Sequence, residues 1–219
     1  MKKTTKFLSA VTKHQNERSK EKFYGFLKDY LEILELNVDI SALAHKRLYD
    51  AITDYGLTRM KSDNSRCRKL FNAEALRTYD YFQGSFFGME RSLNKIMRFL
   101  HSAAMKGEES RQVLLLLGPV GAGKSALVEH IKKALEETSE IYHIADCPIR
   151  EEPLHLIPRG LRSEFEEVYG VKVEGDLCPV CRHHLLEEYD GDYTQVPITT
   201  SSFSIRGRRG IGVVPPMDP

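Results

Sequence analysis

The stretch that most limits how this chain can fold is "VLLLLGPVGAGKSALVEHI", residues 113–131. An apolar run meets a glycine-rich turn that ends in Lys-Ser, and an amphipathic segment follows. Residues 113–117 have the continuous apolar character of a strand buried on both faces of a parallel sheet. Leu127, Val128, Ile131, Ala134 and Leu135 recur on one face of a helix that starts near Ser125. "EIYHIAD", residues 140–146, reads as the next strand. Strand, turn, helix and strand make a βαβ unit, so the expected class is α/β with a parallel sheet core.

The turn carries the chemistry. Gly118, Gly123, Lys124 and Ser125 fit G-x-x-x-x-G-K-S/T, the P-loop spacing. Gly118 and Gly123 are expected at backbone angles that a Cβ would forbid, with Gly121 as a third such position. The loop can then turn its N–H groups inward as a nest for phosphate oxygens. The following helix aims its unpaired N–H groups and positive dipole end at the same place. Lys124 would supply a point charge to the β- and γ-phosphates, and the Ser125 hydroxyl a ligand for Mg²⁺. Pro119 stiffens the start of the turn; Val120, Ala122 and Ala126 complete the stretch expected to hold ATP and Mg²⁺. The rival reading, a glycine loop with an exposed lysine, carries little weight with the strand before and the helix after.

Hydrolysis by a P-loop protein normally needs an acidic residue at the end of a second apolar strand. Asp146 ends "IYHIA", but one helix alone separates it from Lys124 and a proline follows. Glu187 and Glu188 in "LLEE" read better as helix. The expectation is therefore an incomplete core, with the acidic strand beyond Pro219.

The N-terminal region reads as helical. Phe23, Phe26, Leu27, Tyr30, Leu31 and Leu34 recur at spacings of three and four. Ser41 is a candidate N-cap for a second stripe, Ala44, Leu48, Ala51, Ile52 and Tyr55, which stops at Gly56. Residues 57–80 read as a polar, basic connection. Leu93, Ile96, Met97 and Leu100 give a further helix. The expected division is 1–80, a helical region with linker, and 81–219, a partial nucleotide-binding domain. The aromatic residues at 82–87 read as packing groups or, alternatively, place Phe87-Gly88 beside an adenine ring. Residues 148–219 read as mostly loop, with one helical patch at 161–169.

Charge excludes some functions. Basic residues number 32 and acidic 31, so no global field argues for specific nucleic-acid binding. Locally, residues 1–30 hold eight Lys/Arg against three Asp/Glu, and 59–69 five against one. Solvated faces are the common outcome of such runs; docking of an acidic partner is the sharper alternative. No apolar run approaches the ~18 residues that cross a bilayer, and no signal peptide is apparent. A cytoplasmic, reduced setting is expected.

Cys67, Cys147, Cys178 and Cys181 are too irregular for a disulfide scaffold. "CPVCRHH" gives Cys178 and Cys181 the C-x-x-C spacing of a zinc knuckle, but a structural zinc site needs four ligands. One reading is a Pro179 turn with two reduced thiols; the other is a partial zinc site completed by His183 or His184.

Five stretches carry a family resemblance: "LAHKRLYDAI" (43–52), "FFGMERSLNKI" (86–96), "LLLLGPVGAGKSALVEHIKKAL" (114–135), "EVYGVKVEGDLCPVCRHHL" (167–185) and "RGIGVVPPMDP" (209–219). In this order they resemble the AAA+ region of bacterial PrkA-type serine protein kinases. The resemblance implies a cytoplasmic, ATP-dependent serine/threonine kinase in stress or starvation signalling, acting on a protein substrate and able to form a homo-oligomer. Residues 118–125 would be its Walker A loop. Neither H-R-D nor D-F-G occurs in the chain, so no residue is named as catalytic. A non-catalytic, nucleotide-gated interaction module and a remodelling or protease-like ATPase remain the alternatives. A small-molecule kinase is disfavoured by the 117 residues ahead of Gly118.

Overall fold

A computed structural model describes residues 7–9, 11–12, 22–59, 76–138 and 140–202. Cys67, most of the basic 59–69 stretch and the 209–219 motif lie outside the described residues.

In chain order the elements are β1 (Tyr24–Gly25), α1 (Leu27–Leu36), α2 (Ala44–Thr53), β2 (Leu57–Arg59), β3 (Arg77–Tyr79), α3 (Glu90–Ala104), α4 (Lys124–Glu136), β4 (Ile141–Ile144), α5 (Arg162–Tyr169), α6 (Pro179–Glu187) and β5 (Ile198–Ser201). They group into two compact units. The described residues up to Ser41 join Glu140–Ser202 in the first, and those from Ala42 to 138 form the second. Residue 80 lies inside the second unit.

The first unit is a three-stranded antiparallel sheet, order β1-β5-β4, covered by helices. β5 is central, with Ile198 opposite both Gly25 and Ile144. The alternation along β5 sends Ile198 and Thr200 inward, as a half-buried strand should. Thr200 still finds a partner, its hydroxyl oxygen accepting from the Phe23 N–H at 3.1 Å. The core joins Tyr30 and Leu34 of α1 to Leu154, Leu156, Phe165, Leu185 and Ile198, with Cys147 and Cys181 among them. Asp29 starts α1 by accepting a 2.8 Å bond from the Phe26 N–H, an orphan donor of the helix end.

The second unit packs α2, α3 and α4 around Ile52, Phe82, Leu93, Met97, Leu127 and Ala134. Of the stripes expected for these helices, Ile52, Leu93, Ile96, Met97, Leu100, Leu127 and Ala134 are buried and Leu48, Ala51 and Ile131 pack against them, whereas Ala44 and Tyr55 of the second stripe are exposed. Two ends of the stretch expected as linker pair instead: β2 and β3 run antiparallel, Leu57 opposite Tyr79 and Arg59 opposite Arg77. Gly56 precedes β2 at φ 124°, and a Cβ there would strike the Asp80 carboxylate.

Three expectations change. No parallel pairing occurs among the described strands. Residues 113–117 form no strand: Val113, Leu115 and Leu117 are largely exposed, and Leu116 alone of the run packs on the core. A run apolar on both faces requires neighbours on both edges, and no described strand supplies one. β4, expected beside it, pairs with β5 in the first unit. Ser41 is not an N-cap either; its hydroxyl donates to the Val38 carbonyl inside a 3₁₀ turn, and Leu43 sits at the start of α2. The region after 148 holds α6 and β5 besides the expected helix. Pro179 is the reason for α6: its fixed φ and missing N–H suit the first helical position.

Candidate functional site

The first candidate is the turn before α4. Gly121 and Gly123 sit at φ 79° and 76°, the left-handed region that L side chains resist. Gly123 is the N-cap, and no side chain caps this end, so the first-turn N–H groups remain available to an anion. Lys124 folds back over the loop, its Nζ donating to the Gly118 and Pro119 carbonyls at 2.8 and 2.7 Å. Gly118 lacks the forbidden angle expected of it, since its φ is not left-handed. A Cβ there would make ordinary contacts with Ala122 at 3.6 Å and the Lys124 side chain at 3.9 and 4.0 Å. Val120, Gly121, Ala122, Ser125 and Ala126 are exposed. The donor set therefore fits a triphosphate: an uncapped helix end, one ammonium and a free hydroxyl at Ser125.

The aromatic segment before α3 holds this helix in place. The Tyr81 hydroxyl donates to the His130 carbonyl at 2.7 Å, and His130 Nε2 lies 3.1 Å from the Tyr81 carbonyl, so that nitrogen carries the hydrogen. The His130 ring packs on Tyr81, Phe82 and Phe86 at centroid distances of 4.7, 5.9 and 5.4 Å. Burial, reinforced by the Glu137 charge, pushes the Tyr81 phenol up to about 12. Phe82 and Phe86 are thus packing groups. Phe87 is 77% exposed and edges a cavity of about 270 Å³. Met89, two residues on, lies with its sulfur 3.7 Å from where a Gly123 Cβ would stand.

The acidic candidates lie in the first unit. Asp146 is exposed in the turn after β4, at φ 56°. Glu187 ends α6, as the helical reading of "LLEE" expected.

The second candidate is a cluster that the sequence showed by half. Cys147, Glu151, Cys178 and Cys181 bring one ligand atom each to within 4.8 Å of one another. Cys147 and Cys178 approach to 4.0 Å between sulfurs. His183, the ligand expected to complete a zinc knuckle, is exposed and outside the cluster, because α6 turns it to solvent. His184 pairs with Glu188 at 3.1 Å. Cys147 was the partner the spacing could not reveal, 31 residues from Cys178 and joined to it by tertiary folding alone.

Glu151 organises the group. Its carboxylate accepts the Cys178 N–H at 2.7 and 3.0 Å and faces His155 Nδ1 at 3.1 Å. His155 Nε2 faces the Glu174 carbonyl at 2.8 Å. Burial alone would raise the Glu151 carboxyl, but hydrogen bonds from His155, Cys181 and Cys178 outweigh it and hold the group below its ordinary value. Burial pushes the Cys181 thiol strongly up, and its hydrogen bonds to Cys147, Glu151 and Cys178 act in the same direction. Arg159 and Arg162 pair with Asp176, two residues before Cys178, and the Arg159 hydrogen bond holds the Asp176 carboxyl down at about 2.

Among the described residues no helix is long and apolar enough to cross a membrane. The family described as the PrkA AAA domain matches residues 25–219. The chain is 35% identical over 218 residues to the ATP-dependent protease PrkA of Bacillus subtilis, an alignment covering 97% of this chain and 32% of that protein. It is 29% identical over 199 residues to the serine/threonine kinase YeaG of Escherichia coli K12, covering 88% and 30%. An uncharacterized protein in the gldA 5' region of Geobacillus stearothermophilus is 27% identical over 107 residues, 48% of this chain and 97% of that one. The chain spans about a third of the length of the PrkA and YeaG relatives. No solved structure matches it.

Proposed function

The chain belongs to the PrkA AAA domain family, and on that premise we propose that it is the ATP-binding region of a cytoplasmic, ATP-dependent serine/threonine protein kinase. The observation that carries the reading is the uncapped start of α4 with Lys124 at its first position. A bound triphosphate would take the first-turn N–H groups and draw Lys124 Nζ from the two carbonyls that now hold it. The Mg²⁺ that accompanies ATP would sit against the Ser125 hydroxyl. The adenine ring would pack on Phe87-Gly88, a placement supported by the closeness of Met89 to Gly123. ATP supplies the phosphoryl group; this chain's residues bind it, orient it and balance its charge.

A second reading has its own support, because the relative at 35% identity is named a protease and the one at 29% a kinase. Both names are compatible with ATP binding here. They part at the fate of the γ-phosphate. Radiolabelled ATP offered to the intact protein with a serine/threonine substrate leaves label on protein if the kinase reading holds. Free phosphate and cut substrate, with no labelled protein, overturn it in favour of the protease-like ATPase.

Binding itself is tested at Lys124. Lys124→Ala removes a charge-assisted contact worth about 1.5–3 kcal/mol. Calorimetry with a non-hydrolysable ATP analogue should show affinity weaker by about tenfold to a hundredfold, with the melting temperature unchanged. Equal affinity in variant and parent removes the P-loop from the account.

A further inference from the structure

We propose that Cys147, Cys178 and Cys181, as thiolates, and the Glu151 carboxylate hold a tetrahedral zinc ion that ties the turn after β4 to the start of α6. The four ligand atoms already converge, all within 4.8 Å of one another. A tetrahedron with Zn–S bonds of about 2.3 Å has sulfur–sulfur edges of about 3.8 Å. Cys147 and Cys178 stand at 4.0 Å, so small rotations of the side chains complete the geometry.

The backbone is set for thiolates. Glu151 N–H points at Cys147 Sγ, and Cys181 N–H points at Cys178 Sγ, each at 3.4 Å. The two halves of the cluster thus present the same device, a sulfur accepting from an amide three or four residues on. Cys178 is the N-cap of α6 and Cys181 lies in its first turn, so both sulfurs stand at the positive end of the helix, and the charge of the bound ion overcomes the burial of Cys181. Glu151 is buried, its side chain 3% exposed, and faces the sulfurs on one side and His155 on the other. His155 then acts behind the ligand, held in orientation by the Glu174 carbonyl, as the hydrogen-bonded partner that a ligating carboxylate requires.

The chemistry selects the ion. Three thiols with one carboxylate suit Zn²⁺ and not Mg²⁺ or Ca²⁺, which prefer all-oxygen sets. Binding displaces one proton from each thiol to solvent, and no redox change occurs. Four protein ligands leave no open position, so the ion is structural. It crosslinks segments 27 or more residues apart in sequence, all within the first unit. None of these residues belongs to the P-loop, so the inference stands or falls independently of ATP binding.

The test measures metal in the intact protein purified under reducing conditions without chelator. Plasma mass spectrometry should find about one zinc per chain. Cys147→Ser and Cys178→Ser should each drop it close to zero, while His183→Ala keeps it. Cobalt added to chelator-stripped protein should give the intense visible absorption of thiolate-bound tetrahedral Co²⁺, a readout that needs no variant to fold. Glu151→Gln should shift that spectrum. Absence of zinc together with no cobalt spectrum overturns the site. So does full zinc in Cys147→Ser, which would return the ion to ligands around the C-x-x-C pair alone.

Discussion

The P-loop and the cysteine cluster are built by opposite means. The loop lies on the surface, and its groups come from nine consecutive residues. The cluster is sunk in the first unit's core, and its four ligand atoms come from two segments that meet by folding. An exposed backbone site can be read off spacing, but its surroundings cannot be inferred from it. A buried side-chain site is invisible by half in the sequence, yet the structure presents it nearly assembled. The same contrast runs through the apolar residues: Leu154 and Leu156 near the cluster are 1% exposed, whereas Leu115 and Leu117 before the loop are 71% and 84% exposed.

The largest expected effect breaks or confirms that contrast. Leu154→Ala should destabilise the chain by about 2–5 kcal/mol in urea unfolding, the cost of a cavity in a close-packed core. Leu115→Ala should stay within about 0.5 kcal/mol, as exposed substitutions do. Equal losses would mean that residues 113–117 are covered after all, and the strand expected there would be restored.

A smaller effect separates the loop's glycines. Gly121 has a left-handed φ and no neighbour within 4 Å of a Cβ position. Gly121→Ala should cost about 1 kcal/mol, from backbone conformation alone. Gly118→Ala, at an ordinary angle with ordinary contacts, should be close to neutral in thermal unfolding. A reversed order would show that Gly118 is the strained position the motif suggests.

These residues also explain what was legible in the chain. The helices were, because the spacing of Leu93, Met97 and Leu100, or of Leu127 and Ala134, is a local property of one element. The loop was, because Gly123, Lys124 and Ser125 are contiguous. The sheets were not. A strand's partners are set by contacts across the chain, so "IYHIA" gave β4 without revealing that β5, more than fifty residues later, is its neighbour. Cys147 escaped for the same reason. In α6 the sequence offers a Pro179 turn at its start and helix at "LLEE", and the proline that suggests a turn is the residue that starts the helix. Gly118 differs from its expectation because a motif specifies residue types and not which glycine carries which angle.

The smallest expected effect is a dependence on pH confined to the first unit. His143 lies on β4 opposite Thr199, 8% exposed, with Nδ1 donating to the Ile144 carbonyl at 2.9 Å. Burial lowers its pKa from the usual 6.5, and the Arg150 and Lys22 charges lower it further, against a raising contribution from that hydrogen bond. The unfolded chain therefore binds a proton that the folded unit refuses, so stability rises with pH between the two values. The contribution is fully present above about pH 6.5 and is lost as pH falls toward the lowered folded value. Melting temperatures taken at intervals from pH 7.5 to 5 should fall for the parent chain, and the fall should flatten in His143→Phe, which keeps a ring on the sheet and carries no proton. A parent and variant with parallel profiles would place the pH dependence in some other group, and the buried, neutral state of His143 would lose its support.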